Sequence, residues 1–502
     1  MTVVIAMHNS DLRTVHEMDK VQCIFLARFD VHEGNTIVWS KSRLPSQTYP
    51  GLEFRAIPSG LHQSRHDVVY FIQPQENAPD LEGVAVYRQN NHPDRDYMEM
   101  YSLGVLCRPD PSPTGSAMPN AGAWGYVPTL DKMLAEYMDV HSPHGHEPPF
   151  DLSIAPSPTE HPILATRTVL SQLGPLVFSM WKTMLLRKRL LLIPPPSISV
   201  ETACRTVYVL SCLGTIPTDV WDELPHSSDH SASPSALYNV SLSDISWLSD
   251  AKDGYIAVTR DSVLQDKKNV YDMLVPSTSV PHLQMANGDR FIYPNYRDCR
   301  RFNILLESIA LHPNHVAPPA SIFVDTLGPA LGGVIDRIRG AIAGSTVSGF
   351  LWWASAGEQD NGEAEQDAEG LLGYSDGGDT DNVSSSAITT DNDNDNTNST
   401  AAMGPSADYS LTPLETPLEV TVLGYFHHMT RSLFRNAWFI IQDYCEQVDD
   451  DEATIVLEKE DLRMLGLDPG SGDDAQFATE FFRLWFNKTA FVNHRPWYSA
   501  CC

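Results

Sequence analysis

Apolar residues in the first 145 positions come in short runs, the pattern of strands rather than of long helices. Val21–Phe29 is apolar on both faces, as a central strand is. Glu33-Gly34-Asn35 then supplies turn residues and Thr36–Trp39 is apolar again, which predicts a β-hairpin. Asp67–Ile72, Gly83–Tyr87 and Tyr101–Cys107 read as three further strands. Pro58–Gln63 reads as a short helix before them. Trp124–Val140 takes helical spacing through Leu130, Met133, Leu134 and Met138. This order predicts an antiparallel sheet with helices layered on it, an α+β block over residues 1–145. Pro-, Ser-, Gly- and His-rich stretches at 107–123 and 141–160 read as loops.

From 160 to 315 the pattern changes. Gly174-Pro175 breaks or kinks any helix that reaches it. Beyond it Leu176, Val177, Met180, Trp181, Met184 and Leu185 recur every three or four residues, one apolar helix face. Arg187-Lys188-Arg189 falls at that helix's end, where free carbonyls favour cations. Leu190–Ile193 is a short apolar run stopped by Pro194–Pro196, which donate no ladder hydrogen bonds. It predicts a buried strand. Ser199–Leu213 predicts another helix, with Ser199 as N-cap and Ala203, Val207 and Leu210 inward. Tyr255–Thr259 and Val270–Val275 add strands, and Asn295–Leu311 a basic-faced helix. Helix, strand, helix is one unit of a layered α/β block.

Residues 316–357 read as a Gly/Ala-rich apolar connector. Within it Gly340–Gly357 is mildly apolar and reads as buried or partner-facing, with an interfacial contact as the alternative. The insert at 358–413 is rich in Asp, Asn, Ser, Thr and Gly and is expected to be disordered, because it has too little apolar surface to offset its ordering entropy. The part from 418 to 490 predicts helices at Val422–Tyr444, Lys459–Leu465 and Ala475–Phe486, and 491–502 reads as a tail. The whole is expected to be an α+β and α/β multidomain chain, since 502 residues exceed what one core usually holds.

Charge and motifs narrow the chemistry. The net charge is −30, and Glu358–Thr400 alone carries 12 acidic residues and no Lys or Arg. That balance argues against nucleic acid as a partner, since backbone binding needs clustered cations. Eight cysteines without a CxxC pair argue against a zinc ribbon or a thioredoxin-type motif, and the short apolar run at the start lacks the flanks of a secretory signal. A reduced, cytoplasmic protein is the expectation. GxxxxGK[ST], GxSxG, HExxH and a GxGxxG in strand–helix context are all missing. His141, His144 and His146 are zinc-type donors at close spacing, but no nearby cysteine completes a set of four, and a polar His-rich loop is the reading taken. Asp391, Asp393 and Asp395 begin like an EF-hand loop. Asn396 and Ala402 stand where that loop needs Gly and Glu, so calcium is rejected. No cofactor, metal or catalytic residue is expected. Cys501 and Cys502 are candidates for lipidation, against the alternative of two free thiols. One lipid alone anchors weakly, so a second membrane contact would be needed.

Four stretches carry a family resemblance: GLEFRAIPSGLHQSRHDVVYF (51–71), FSMWKTMLLRKRLLLIPPP (178–196), YIAVTRDSVLQDKKNVYDMLV (255–275) and LRMLGLDP (462–469). In their order and spacing the chain resembles the LCHN-like group of DENN-domain proteins, relatives of the Avl-nine-related family. The resemblance implies a longin-like N-terminal module, a central DENN α/β module and a smaller helical C-terminal part. It also implies a guanine nucleotide exchange factor for a Rab-family small GTPase in vesicle trafficking, peripheral on vesicle or organelle membranes. Such a factor needs no acid, base or nucleophile. It binds the GTPase better once the switch regions are displaced, and so speeds GDP release. The family holds the Rab between the longin and DENN modules. By that analogy Trp39, Ser40, Ser59, Gly60, His62, Tyr255 and Arg260 are the candidate partner contacts, with Trp39 and Tyr255 equally readable as core aromatics. The long acidic insert departs from the family pattern, and the usual C-terminal DENN portion is hard to trace after Gly357. Fold does not fix function, so a non-catalytic scaffold or membrane tether is the alternative.

Overall fold

The computed structural model describes residues 20–44, 47–75, 78–91, 98–109, 122–140, 148–157, 161–224, 230–278, 281–288, 290–311, 418–447 and 454–493. Its centre is one mixed sheet of 11 strands in the order β11-β10-β9-β6-β8-β7-β3-β4-β5-β1-β2. The antiparallel half holds β1 (Val21–Asp30), β2 (Gly34–Ser42), β3 (His66–Gln73), β4 (Leu81–Asn91) and β5 (Met98–Cys107). The hairpin expected at Glu33–Asn35 is there, with Gly34 at φ 76 and Asp30 paired to Gly34 in register. The parallel half holds β6 (Leu190–Leu192), β7 (Ser235–Asn239), β8 (Tyr255–Val258) and β9 (Met273–Val275), extended antiparallel by β10 (Leu283–Met285) and β11 (Phe291–Ile292).

The two halves join where Phe71 of β3 pairs antiparallel with Tyr238 of β7. The Phe71 ring also lies across Gly83 of β4, where any Cβ would sit 2.2 Å from Phe71 Cε2. Glycine is what lets the ring cover its neighbour strand.

Residues alternate faces along the parallel strands. Leu190, Leu192, Ile256, Val258, Met273 and Val275 join the main core, while Leu191, Tyr255, Ala257 and Leu274 join a second cluster with Leu248 and Leu264. Covering elements include α1 (Leu52–Ala56), α2 (Val127–Val140), α3 (Thr166–Leu173), α4 (Leu176–Leu185), α5 (Val200–Leu213), α6 (Thr218–Trp221), α7 (Ile245–Asp250) and α8 (Tyr296–Leu311). The break at Gly174-Pro175 bends the chain by 117°. Ser199 caps α5 as expected, its hydroxyl accepting from the Thr202 N–H at 3.1 Å. Asp67 of β3 caps the same end, accepting from the Val200 and Glu201 amides at 2.9 and 3.2 Å. The helix therefore starts on a carboxylate from the antiparallel half.

The charged triplet falls at the end of α4 as expected, where Arg187 takes the Met184 carbonyl, but its contacts are not confined to that helix. Arg187 is 6% exposed, turns through φ 51, and donates to the carbonyls of Met184, Gly214, Ser231 and Ala232. Lys188 pairs with Glu480 at 2.6 Å and Arg189 with Asp272 at 3.0 Å. Each charge has its own partner, so the triplet fastens three surroundings to one turn. Nor is Pro58–Gln63 one helix: α1 ends at Ala56, and after Gly60 (φ 80) only the 3₁₀ turn Leu61–Gln63 forms.

Helices α9 (Leu418–Gln447), α10 (Lys459–Met464) and α11 (Gly472–Phe486) and the parallel pair β12 (Ile455–Leu457) and β13 (Ala490–Val492) complete the described residues. They pack on α4. Trp181 Nε1 donates to Thr430 Oγ1 at 3.1 Å, and Trp485 Nε1 to the Leu185 carbonyl at 3.0 Å. The buried Lys182 ammonium bridges Asp298 at 2.9 Å and Asp474 at 2.7 Å. Burial alone would lower the Lys182 pKa, but the two carboxylates more than offset it and the pKa is raised.

Among the described residues no single helix is long and apolar enough to cross a membrane. The bent pair Pro162–Leu173 and Leu176–Leu185 passes that test only jointly, and α4 is wholly buried. The connector 316–357, the insert 358–413, the histidines of 141–146, the aspartates of 391–395 and Cys501-Cys502 lie outside the described residues.

Candidate functional site

β6, β7, β8 and β9 run parallel, so their carboxyl ends share one edge of the sheet. In open α/β sheets that edge, near the point where strand order reverses, is where partners and ligands are met. β6 connects outward to β7 on one side, while β8 connects back across β6 to β9 on the other. The segments emerging there are Ile193–Ser199, Val240–Asp244 and Thr259–Val263.

The antiparallel half contributes to the same edge. Arg260, just past β8, donates to the Pro196 and Ile198 carbonyls, and its Cδ lies 3.8 Å from where a Cβ of Gly60 would stand. Arg55 of α1 forms an ion pair with Asp244, with side chains 6% and 1% exposed. Leu242 N–H donates to Asp261 Oδ2 at 3.2 Å, tying the segment after β7 to the segment after β8. Large apolar side chains are left open on these segments: Phe54 is 45% exposed, Leu242 42% and Val263 50%. Ser59, His62, Ser243 and Ser262 are exposed beside them in sequence. The result is a partly apolar, hydroxyl-rich surface drawn from both halves of the sheet.

The expected contacts divide. Ser59, Gly60, His62 and Arg260 fall on this edge. Trp39 and Ser40 do not: β2 is the outermost strand, six strand spacings from β8, about 29 Å along the sheet. Trp39 packs edge-on against Phe150 with centroids 5.7 Å apart. Tyr255 takes the second of its two readings, a core aromatic. It opens β8 rather than ending it, is 1% exposed, and gives its hydroxyl to the Val270 carbonyl. A buried phenol with a satisfied hydroxyl offers a partner nothing.

No group of three or more His, Cys, Asp or Glu among the described residues could hold a metal ion. Burial pushes the Cys204 and Cys212 thiols up to about 12, so neither is a nucleophile near neutral pH. A cleft of about 70 Å³ lies between α4, α8, α11 and the strands β9 to β11, and its charged lining includes the Lys182, Asp298 and Asp474 network, whose members are bonded to one another.

Comparison with known proteins places the chain in a family. A family model described as DENN domain-containing protein 11 matches residues 24–148 and 151–285, together more than half of the chain. The chain belongs to the DENN domain-containing protein 11 family. The matched residues run from β1 through β10, so the family unit contains both halves of the sheet and the shared edge. A second model, a domain of unknown function, matches residues 343–454, which include α9.

Individual relatives agree. The chain is 28% identical over 308 residues to the uncharacterized protein ANR2 of Saccharomyces cerevisiae, covering 52% of this chain and 58% of that protein. It is 24% identical over 326 residues to DENN domain-containing protein 11 of Xenopus laevis, covering 57% of this chain and 68% of that one. With the Rattus norvegicus protein of the same name it shares 23% over 334 residues, 58% of this chain and 67% of the relative. The match thus spans less than two thirds of the yeast protein.

Within this DENN-family fold, sequence reasoning missed Phe54, Leu242 and Val263 as surface residues and Arg55 with Asp244 beneath them. Phe54 lies inside one of the resembling stretches, on the short helix α1, and is 45% exposed. Leu242 follows β7, a strand whose sequence Ser-Ala-Leu-Tyr-Asn carries no strong periodic signal.

Proposed function

We propose that this chain is a guanine nucleotide exchange factor for a Rab-family small GTPase, and that the GTPase docks on the carboxyl edge of the sheet. The observation that carries the reading is the meeting of Gly60 with Arg260 and of Arg55 with Asp244. These contacts make one surface from the two halves that the longin and DENN modules would supply, and we place the chain near the LCHN-like, Avl-nine-related branch on the same reading. Phe54, Leu242 and Val263 supply the apolar centre that a protein partner needs, and Ser59, His62, Ser243 and Ser262 the polar surround.

The mechanism asks for differential binding rather than bond chemistry. A surface that holds displaced switch regions more tightly than the nucleotide-bound arrangement raises the population of the open GTPase, and GDP and Mg²⁺ leave from the GTPase. Such a mechanism asks no acid, base or nucleophile of the edge. We place the activity on the cytoplasmic side of vesicle or organelle membranes, with Cys501 and Cys502 as candidate lipid sites. Unchanged membrane sedimentation of the double Cys→Ser variant in cells would remove that part.

The test is GDP release from a panel of Rab GTPases with the purified chain. Acceleration for one or a few members supports the reading. Binding that ignores nucleotide state would make the chain a non-catalytic scaffold or tether.

A further inference from the structure

Ties between the halves of the sheet include the Phe71–Tyr238 strand pairing, the Asp67 cap on α5, and the Arg55–Asp244 ion pair. The first two lie within or beneath the sheet. The third joins the segments that carry the exposed edge, because Arg55 leads through Ile57 into Pro58–Gln63 and Asp244 closes Ser241–Asp244.

We infer that the Arg55–Asp244 pair is a positioning device that fixes the two lips of the docking edge relative to each other. The inference rests on the exchange-factor reading for its consequence but not for its geometry.

Three of the guanidinium's N–H groups are committed. Arg55 Nη2 meets Asp244 Oδ1, while Nη1 donates to the Pro50 carbonyl at 3.0 Å and to Gln73 Oε1 at 3.1 Å. Only a planar fork reaches these acceptors together, so lysine is no substitute. Asp244 uses its other oxygen locally. Oδ2 accepts from the Ser241 N–H at 2.8 Å and from the Ser241 hydroxyl at 3.2 Å, a capping box that shapes the Ser241–Asp244 turn. One carboxylate therefore sets the turn carrying exposed Leu242 and anchors it to the helix carrying exposed Phe54.

Gly51 completes the arrangement. It turns at φ 73, and a Cβ there would stand 3.2 Å from Arg55 Nη1 and 3.6 Å from Ser243 Oγ. Glycine at this left-handed position lets the start of α1 close over the pair.

A buried pair is weak evidence for stability, since apolar replacements are often neutral, but it is well suited to specifying one arrangement. Its loss should lower the fraction of molecules with a competent edge. Apparent affinity for the partner then falls by that fraction while turnover on the bound complex is kept.

The test uses the full-length chain with Arg55→Lys and with Arg55→Met/Asp244→Asn, the second leaving no uncompensated buried charge. Two readouts are taken: amide hydrogen exchange at 58–64 and 240–244, and KM and kcat for GDP release. These segments contain hydrogen-bonded amides at Leu61, Gln63, Ser64, Val240 and Asp244, so loosening is visible. The expected result is exchange at least about tenfold faster in these segments alone, with KM raised about tenfold and kcat little changed. Unchanged local exchange overturns the inference, as does loosening of the whole protein in both variants, which makes the pair a general stability element. If the unaltered chain accelerates no GTPase, the exchange-factor reading fails, and the hydrogen-exchange result still decides the pair.

Discussion

The Arg187 guanidinium lies 5.2 Å from the centroid of the Trp485 ring. The two residues are about 300 positions apart, and the contact fastens α11 to the turn between α4 and β6. Four backbone carbonyls surround the same guanidinium, and burial lowers its pKa to about 10, still charged at neutral pH. Gly254 permits the turn, since a Cβ there would lie 2.3 Å from the Arg187 carbonyl carbon.

Trp485→Ala is therefore expected to cost about 3–5 kcal/mol, the range for removing a buried large aromatic. Arg187→Met should cost about 2 kcal/mol or more by stranding buried carbonyls. Urea unfolding of both variants and of the double variant measures this. A Trp485→Ala loss below about 1 kcal/mol would show that α11 is not held by this anchor.

His427 of α9 is 4% exposed, and its Nε2 lies 3.1 Å from the Cys212 carbonyl. Burial lowers its pKa to about 4. Between pH 6.5 and about 4 the unfolded chain takes up a proton that the folded chain refuses. Stability should thus fall as pH drops through that window, by roughly 3 kcal/mol in all. Denaturant midpoints from pH 7 to 4.5 check the slope, and His427→Gln should flatten it. An equally steep slope in that variant would assign the effect elsewhere.

Gly83→Val should strike the joint between the halves of the sheet. The added Cβ meets the fully buried Phe71 ring, and overpacking of this kind typically costs about 1–3 kcal/mol. Because Phe71 also pairs with Tyr238, amides of β3 and β7 should lose protection before those of β1 and β5. Uniform loss across the sheet would contradict the joint as its seat.

Much of this architecture is legible in the sequence, for reasons that can be named. β1, β3, β4 and β5 are long, apolar and bounded by turn residues. α4 and α5 declare themselves through apolar spacing, the Gly174-Pro175 break and the Ser199 cap. β7, β10, β11, β12 and β13 are two to five residues long and exist through their neighbours, so no local pattern marks them. The site follows the same rule. Arg260 and the Ser59–His62 segment could be reached through the family resemblance. Tyr255 is readable either way, because an apolar strand shows its aromatic without showing which end faces the edge. Arg55 and Asp244 meet across 189 positions, and nothing local in either stretch announces it.

The exposed apolar residues of the edge give a direct surface test. Leu242→Ala and Val263→Ala should leave the unfolding transition within about 1 kcal/mol of that of the unaltered chain, since both side chains are about half in solvent. Each should weaken GTPase association by about 1–2 kcal/mol if it lies at the interface centre. Unchanged association in both would move the docking surface away from this edge.

The measurement closest to the central claim is GDP release from a Rab panel with the unaltered chain and with Phe54→Asp/Leu242→Asp, both confirmed folded by their melting curves. The account predicts acceleration of one or a few Rabs by the unaltered chain and its loss in the double variant. Equal acceleration by both proteins, or none by the unaltered chain, would contradict it.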